Sequence, residues 1–291
     1  MASTPTDRRP VAVLGTGMMG GGIARCLLRA GFPVRVYNRT PAKAAPLVEL
    51  GATAHSSPAT AAEGAGVLIT MLLDADVVAT AAREALPLLA PGAVWLQTST
   101  VGGAIDDLAV LAAEHGVPFY DTPVVGPPRA AGEGRLGVLI SGPRTDRLDP
   151  VLAAIGARTL WVGEGTEASR LKLAVNSWVL AVTLALLEAM ALTESAGLDP
   201  QLFLDAIEDS PLGTAYARFK GGAVLAGDYA PTFSVRSALK DAELITAVGR
   251  ATGASALVAE AVREQYRRAA ELGHADKDLT AAFLAARAVR A

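Results

Sequence analysis

Val11-Ala12-Val13-Leu14-Gly15-Thr16-Gly17-Met18-Met19-Gly20 is an apolar run that breaks into Gly-x-Gly-x-x-Gly. An unbroken apolar run that ends at a glycine describes a short strand buried on both faces, and residues 18–30 beyond it have helical composition. The glycines have separate tasks. Gly15 permits a tight turn, Gly17 lets the backbone approach a pyrophosphate, and Gly20 lets helix and strand pack closely. The free amides and the dipole at the helix start then favour an anion. Three glycines alone are a weak signal, compatible with an ordinary glycine-rich turn. A strand before them, a helix after them and a second strand one βαβ unit later supply the context a dinucleotide site requires.

The alternation continues outward from this stretch. Residues 11–14, 34–37, 67–71, 93–96, 117–120, 136–141 and 159–162 predict strands, and residues 18–30, 41–50, 75–86 and 103–115 predict helices between them. Strand, helix and strand at this spacing build a mainly parallel, doubly wound α/β sheet of the Rossmann type, whose ligands bind beyond the carboxyl ends of the strands. Near Gly163 the pattern changes. A long apolar helix over 167–196 is followed by helices expected at 200–208, 214–225, 234–252, 255–272 and 278–288, with no convincing strand. The reading is therefore a dinucleotide-binding domain over 1–163 and an all-α domain over 164–291 with one long central helix.

Composition bounds the function. With 51% hydrophobic and 19% charged residues over 291 positions, the chain has ample material for a core. A net charge of −3 argues against a general affinity for nucleic acid or anionic membranes. The single cysteine, Cys26, excludes an intrachain disulfide and reads as a small buried hydrophobe. The first ten residues are polar, without the apolar core of an export signal. The greasiest run, 177–187, falls short of the ~20 residues that span a bilayer. A cytoplasmic protein is expected. The long helix carries Leu171, Leu173, Val175, Trp178, Val179, Val182, Leu184 and Leu187 around nearly its whole circumference. Such a helix must be buried all round, and a homodimer interface along it is the simpler way. His55, His115 and His274 are scattered, so no metal site is expected.

The second predicted strand ends in Tyr37-Asn38-Arg39-Thr40. A site for NAD would place a carboxylate here on the ribose hydroxyls. Asn38 removes its repulsion toward a 2′-phosphate, and Arg39 can bond that phosphate and stack on adenine. NADPH is the expected cofactor, with NADH the alternative, and a solvated loop is the competing reading of Arg39. Lys172 and Asn176, four apart, share a helix face among apolar neighbours. A lysine there is either snorkelling or poised for proton transfer by desolvation.

Five segments in order then resemble one family: Gly15–Gly20, Gln97-Thr98-Ser99-Thr100, Asp121-Thr122-Pro123-Val124-Val125-Gly126, Lys172-x-x-x-Asn176, and Phe233 with Leu239-Lys240-Asp241. The late Asp276-Lys277-Asp278 also matches. The chain resembles the β-hydroxyacid dehydrogenases, which include 3-hydroxyisobutyrate dehydrogenase and the glyoxylate/succinic semialdehyde reductases, over almost its whole length. The resemblance implies Lys172 as the general acid that protonates a carbonyl oxygen while hydride arrives from the nicotinamide, with Asn176 orienting it or the substrate. It implies cofactor contacts from Gly15, Thr16, Gly17, Met18, Met19, Gly20, Asn38, Arg39, Thr40, Met71, Leu72, Leu73 and Thr100. Lys240 would close over the cofactor from the helical domain, and Val124, Val125, Gly126 and Phe233 would meet the substrate.

One departure bears on the substrate. Where the family usually has Ser-Gly-Gly to hold a carboxylate, this chain has Val125, Gly126 and Pro127. A hydroxyl and a backbone N–H are lost, each charge-assisted bond being worth roughly 1.5–3 kcal/mol. Arg129 could compensate as a clamp or be a plain surface residue. The departure raises a substrate more apolar than a small hydroxy acid, or the C=N chemistry of the imine reductases, which share the architecture but commonly lack the lysine. A non-catalytic dinucleotide-binding module is the reading of another class, and the presence of Lys172 and Asn176 argues against it.

Overall fold

The computed structural model describes residues 9–287. Most of the polar N-terminal segment, and Ala288 of the last expected helix, lie outside the described residues. Contacts divide the chain into two compact units, up to Lys172 and from Leu173 onward.

The first unit runs β1 (Val11–Leu14), α1 (Met18–Arg29), β2 (Val34–Tyr37), α2 (Ala45–Val48), β3 (Thr53–His55), α3 (Pro58–Ala62), β4 (Val67–Thr70), α4 (Ala75–Ala85), β5 (Val94–Gln97), α5 (Ile105–Glu114), β6 (Phe119–Asp121), β7 (Val124–Val125), α6 (Pro128–Glu133), β8 (Leu136–Ser141), α7 (Asp149–Ile155) and β9 (Gly156–Gly163). The sheet order is β3-β2-β1-β4-β5-β6-β8-β7, with β9 added on β8. The pairings from β3 to β6 are parallel, and those of β8 with β6 and β7 are antiparallel. Strand order reverses between β1 and β4, the kind of switch point that opens a crevice at the carboxyl ends. Successive side chains of β1 serve opposite faces. Val11 and Val13 pack with Ile23 and Leu27 of α1, while Ala12 and Leu14 pack with Val78 of α4 and Ile105 of α5. This two-sided burial is why the strand reads as an unbroken apolar run.

The expected strands are all present, and β3 and β7 are additional. β3 is three residues at an exposed edge and β7 only two, too short to leave an alternating pattern. Three short helices, α3, α6 and α7, also escape the sequence reading. Each has five to seven residues and opens with proline in its first turn, which a reader takes for a loop. The helix expected over 41–50 is a 3₁₀ turn, Pro41–Lys43, followed by the single turn of α2.

The long helix α8 (Glu167–Ser195) begins in the first unit and continues as the first helix of the second. After it come α9 (Pro200–Ile207), α10 (Ala215–Leu225), α11 (Val235–Thr252), α12 (Leu257–Ala269) and α13 (Ala282–Arg287), the last preceded by a 3₁₀ turn at Leu279–Ala281. The core of this unit gathers Leu180, Leu187 and Met190 of α8 with Val235, Ala238, Tyr266 and Phe283. By length and composition alone α8 could cross a membrane, contrary to the sequence reading that its apolar run is too short, because the helix extends well beyond 177–187. Its buried positions nevertheless form a seam through Ser169, Leu173, Asn176, Leu180, Thr183, Leu187 and Met190, alternating four and three apart. Burial within the chain is thus confined to one stripe, not all round as the apolar composition predicts. Trp178 is 71% exposed and Leu192 70%.

Candidate functional site

The β1–α1 loop carries the constraints its glycines predict. Gly15 has φ +99°, and a Cβ there would lie 2.2 Å from the Met71 carbonyl oxygen. A Cβ on Gly20 would lie 1.9 Å from the Gly15 carbonyl oxygen. Gly17 differs. It precedes α1, no heavy atom stands within 4 Å of where its Cβ would be, and the chain's own packing does not require glycine there. No side chain caps α1 and no acidic residue occupies its first turn, which leaves the helix start without a negative group of its own and favourable to a bound anion. Thr16 Oγ1 is buried without a hydrogen-bond partner. These features fit a dinucleotide whose pyrophosphate rests on the first turn of α1.

Asn38 braces this loop. Its Oδ1 accepts from Thr16 N at 3.0 Å and its Nδ2 donates to Thr40 O at 3.0 Å. Both ends of the amide are thereby used, which the sequence reading of Asn38 as a missing carboxylate did not foresee. Arg39 and Thr40 are exposed beside it. At the carboxyl ends of β4 and β5 a buried polar network holds the 97–100 loop. Trp95 Nε1 donates to Thr70 Oγ1 at 3.0 Å, Gln97 Oε1 accepts from Ser99 N at 2.7 Å, and Thr98 Oγ1 donates to Thr70 O at 2.6 Å. Ser99 Oγ accepts from Leu72 N at 2.8 Å. Through Ser99 and Leu72 the network joins the loop that precedes Thr100 to the segment after β4, at the strand ends next to the switch point. Met18 and Leu73 are exposed, and Met19, Met71 and Leu72 half-buried. The structure therefore gathers the candidate cofactor residues of the first unit at one edge of the sheet.

Val124 and Val125 form β7, and Gly126, at φ +143°, turns the chain into α6. Pro127 stands immediately before α6 and Pro128 is its first residue, so neither contributes an N–H to the helix start. Arg129 does not restore a donor to this turn: its Nε donates to Glu133 Oε1 at 2.7 Å, and its side chain is 87% exposed. Asp121, at the head of this segment, is fully buried and reaches α8. Its Oδ2 accepts from Ser169 N at 2.6 Å and its Oδ1 from Ser169 Oγ at 2.7 Å. Burial pushes its carboxyl up to about 7, against the opposing pull of the Ser169 donors. Sequence reasoning saw Asp121 as part of a motif but assigned it no task.

Lys172, half-buried, and Asn176, buried, stand one turn apart on α8. Asn176 Nδ2 donates to Asp241 Oδ2 at 2.6 Å, and Asp241 Oδ1 pairs with Lys240 Nζ at 3.0 Å. Asp241 fixes the orientation of the Asn176 amide, leaving its Oδ1 as the acceptor. The adjacency of Lys240 and Asp241 was the available sequence signal for this partner, but only the lysine was read from it. Phe233, half-buried, is pinned from far along the chain: its N–H donates to Asp278 Oδ2 at 3.3 Å, and its carbonyl accepts from Leu279 N at 2.8 Å. Asp278 also takes Lys220 Nζ at 2.9 Å, Thr232 N at 2.9 Å and Thr280 N at 3.1 Å. Among the described residues no cluster of His, Cys, Asp and Glu could hold a metal.

Residues 10–163 match the family described as the NAD binding domain of 6-phosphogluconate dehydrogenase. Residues 166–285 match NAD-binding of NADP-dependent 3-hydroxyisobutyrate dehydrogenase. The sequence is 32% identical over 279 residues to an uncharacterised oxidoreductase of Bacillus subtilis, covering 93% of this chain and 97% of that protein. The fold superposes on the crystal structure of 3-hydroxyisobutyrate dehydrogenase from Salmonella typhimurium with a TM-score of 0.88 at 25% identity, over 95% of this chain and 99% of that one. It also superposes on a reductive aminase from Aspergillus terreus in complex with NADPH and ethyl levulinate, with a TM-score of 0.64 at 26% identity, over 94% and 98% of the two chains.

Proposed function

The chain belongs to the β-hydroxyacid dehydrogenase family of NAD(P)-dependent oxidoreductases, and we propose that within it this protein is an NADPH-dependent reductase of an aldehyde or ketone more apolar than a small hydroxy acid. The observation that carries the substrate reading is the 125–129 turn. It offers valine in place of a hydroxyl and two prolines without N–H groups, and its one arginine is turned to Glu133. A carboxylate brought there meets few donors, whereas an uncharged group loses little.

Gly15 to Gly20 would hold the pyrophosphate of the cofactor, and Asn38, Arg39 and Thr40 its adenosine end. Absence of a carboxylate at position 38 supports a 2′-phosphate, hence NADPH over NADH. When bound, the cofactor supplies the hydride. Lys172 supplies the proton to the carbonyl oxygen and takes it back in the oxidising direction. Asn176, its amide oriented by Asp241, accepts through Oδ1 and aligns the lysine or the substrate oxygen. Thr100 would stand beside the nicotinamide ribose, Met71, Leu72 and Leu73 would line the cofactor, and Val124, Val125, Gly126 and Phe233 the substrate. Lys240 is assigned to the cofactor as well.

A C=N substrate is the second reading. The same loss of anion donors favours it, and the reductive aminase neighbour is complexed with an uncharged keto ester. Trp178 and Leu192 on the outer face of α8 support a homodimer through that helix; a cytoplasmic location is part of the same proposal. The test is NADPH oxidation by the wild type and Lys172→Ala across glyoxylate, succinic semialdehyde, an uncharged aromatic ketone and a cyclic imine. Preference for the ketone, with a loss of about 10²–10⁴ in kcat for the variant, supports the proposal. Preference for the carboxylated aldehydes refutes the substrate reading, and an unimpaired variant refutes the role of Lys172.

A further inference from the structure

The first amides of a helix have no partner inside it, and their satisfaction decides where the helix is anchored. In α8 two neighbouring strands do this. β6 and β8 pair at Asp121 and Ser141, and the two side chains take successive amides of the helix start: Ser141 Oγ accepts from Ala168 N at 2.9 Å, and Asp121 Oδ2 accepts from Ser169 N at 2.6 Å. The Ser169 hydroxyl adds a bond to Asp121 Oδ1 at 2.7 Å. Asp121, Ser141 and Ser169 are all buried, so solvent does not compete for these bonds. Ser169 precedes Lys172 by three residues, and side chains so spaced lie on one helix face. The anchored position and the lysine therefore share a face.

We propose that Asp121 is the positioning residue of the reacting lysine: by clamping Ser169 to the end of β6 it sets the rotation and height from which Lys172 projects. This rests on Lys172 being the general acid. Charged groups around the clamp come from two helices. Glu167 and Arg170 lie on α8, and Arg170 Nη2 pairs with Asp106 of α5 at 3.2 Å. Either protonation state of Asp121 can hold the serine, since a neutral carboxyl donates to Ser169 Oγ where the ionised one accepts. Asparagine can do the same through Nδ2, while alanine can do neither.

The experiment compares Asp121→Ala, Asp121→Asn and Ser169→Ala in the full chain by hydrogen exchange of the 163–172 segment and by steady-state kinetics, with Lys172→Ala alongside. Asp121→Ala is expected to speed exchange of the first turn of α8 by about tenfold or more. It should lower kcat by about ten- to a hundredfold while leaving NADPH affinity unchanged. Asp121→Asn should restore both. If Asp121→Ala does not fold, Ser169→Ala, which removes one of the two bonds, is expected to show the same two effects in smaller measure and decides in its place. Unchanged exchange overturns the clamp, and faster exchange with wild-type kcat overturns the positioning role. Should Lys172→Ala retain activity, the general-acid reading falls and this proposal with it. A Lys172→Ala loss beside a wild-type kcat in the clamp variants overturns this proposal alone.

Discussion

Replacing Lys220 with methionine keeps most of the length of the side chain and removes its charge from one of the most enclosed ion pairs among the described residues. Lys220 Nζ stands 2.9 Å from Asp278 Oδ1 and 3.2 Å from Oδ2, and the two side chains are 6% and 5% exposed. Asp278 also accepts from the backbone and hydroxyl of Thr232 and Thr280 and from the Phe233 amide. Desolvation pushes its carboxyl up, but the Thr232 amide and the Lys220 ammonium outweigh it and hold the group at about 2 against an ordinary 3.8. At about 1.4 kcal/mol per pH unit that difference stabilises the fold by about 2–3 kcal/mol. Breaking a buried pair by removing one partner costs about 3–5 kcal/mol, because the remaining charge is stranded. The donors that stay on Asp278 favour the lower end, about 3 kcal/mol. Circular dichroism at 222 nm during heating should then show the helical unit melting on the order of 10 °C lower. The depressed carboxyl also sets a sign with pH. Its contribution is complete above the ordinary carboxylate range and is lost as pH falls through about 2, so wild type should lose part of its advantage over Lys220→Met in strong acid. A Lys220→Met loss below about 1 kcal/mol at neutral pH would refute the reasoning, since desolvation would then have cancelled the attraction.

The glycine loop separates packing from binding. Gly17→Ala should leave the melting temperature unchanged and weaken NADPH binding by about tenfold or more, because its Cβ meets nothing in the chain. Gly15→Ala, at φ +99° and facing the Met71 carbonyl, should destabilise by several kcal/mol, about as overpacking and a strained backbone together allow; thermal melts and fluorescence titration distinguish the two. Asn38→Asp keeps the acceptor for Thr16 N and should move the kcat/KM preference from NADPH toward NADH by about tenfold, read from initial rates with each cofactor. The pair Val125→Ser with Pro127→Gly returns two donors and should raise kcat/KM for succinic semialdehyde by about tenfold or more relative to an uncharged ketone; an unchanged ratio would place the substrate carboxylate elsewhere.

Local physics made much of this protein legible. Val11–Leu14 is greasy because both faces of β1 are covered, and Gly15 and Gly20 follow from backbone geometry while Gly17 is left to the ligand, so strand, turn and helix start could be read together. The change from alternating elements to helices near Gly163 was equally visible, because it changes the period of the pattern. Lys172 and Asn176 could be paired because helix geometry alone puts them one turn apart. The short β3 and β7 and the proline-led α3, α6 and α7 could not, since elements of so few residues carry no period and are held by their neighbours.

What only the tertiary structure decided are the bonds between residues far apart in the chain. Asp121 with Ser169, Asn176 with Asp241, and Lys220 with Asp278 are separated by 48, 65 and 58 positions. A buried polar group must find a partner, but the sequence does not say which one, because any donor of suitable length would serve. The long helix shows the same division. Its sequence determined that α8 would be a helix and that it would need extensive cover. Which stripe is covered within one chain was set by packing, and that stripe takes in Ser169, Asn176 and Thr183 while leaving Trp178 outside. Hydrophobicity measures how much surface water disfavours, whereas position in the fold decides which of that surface meets a partner.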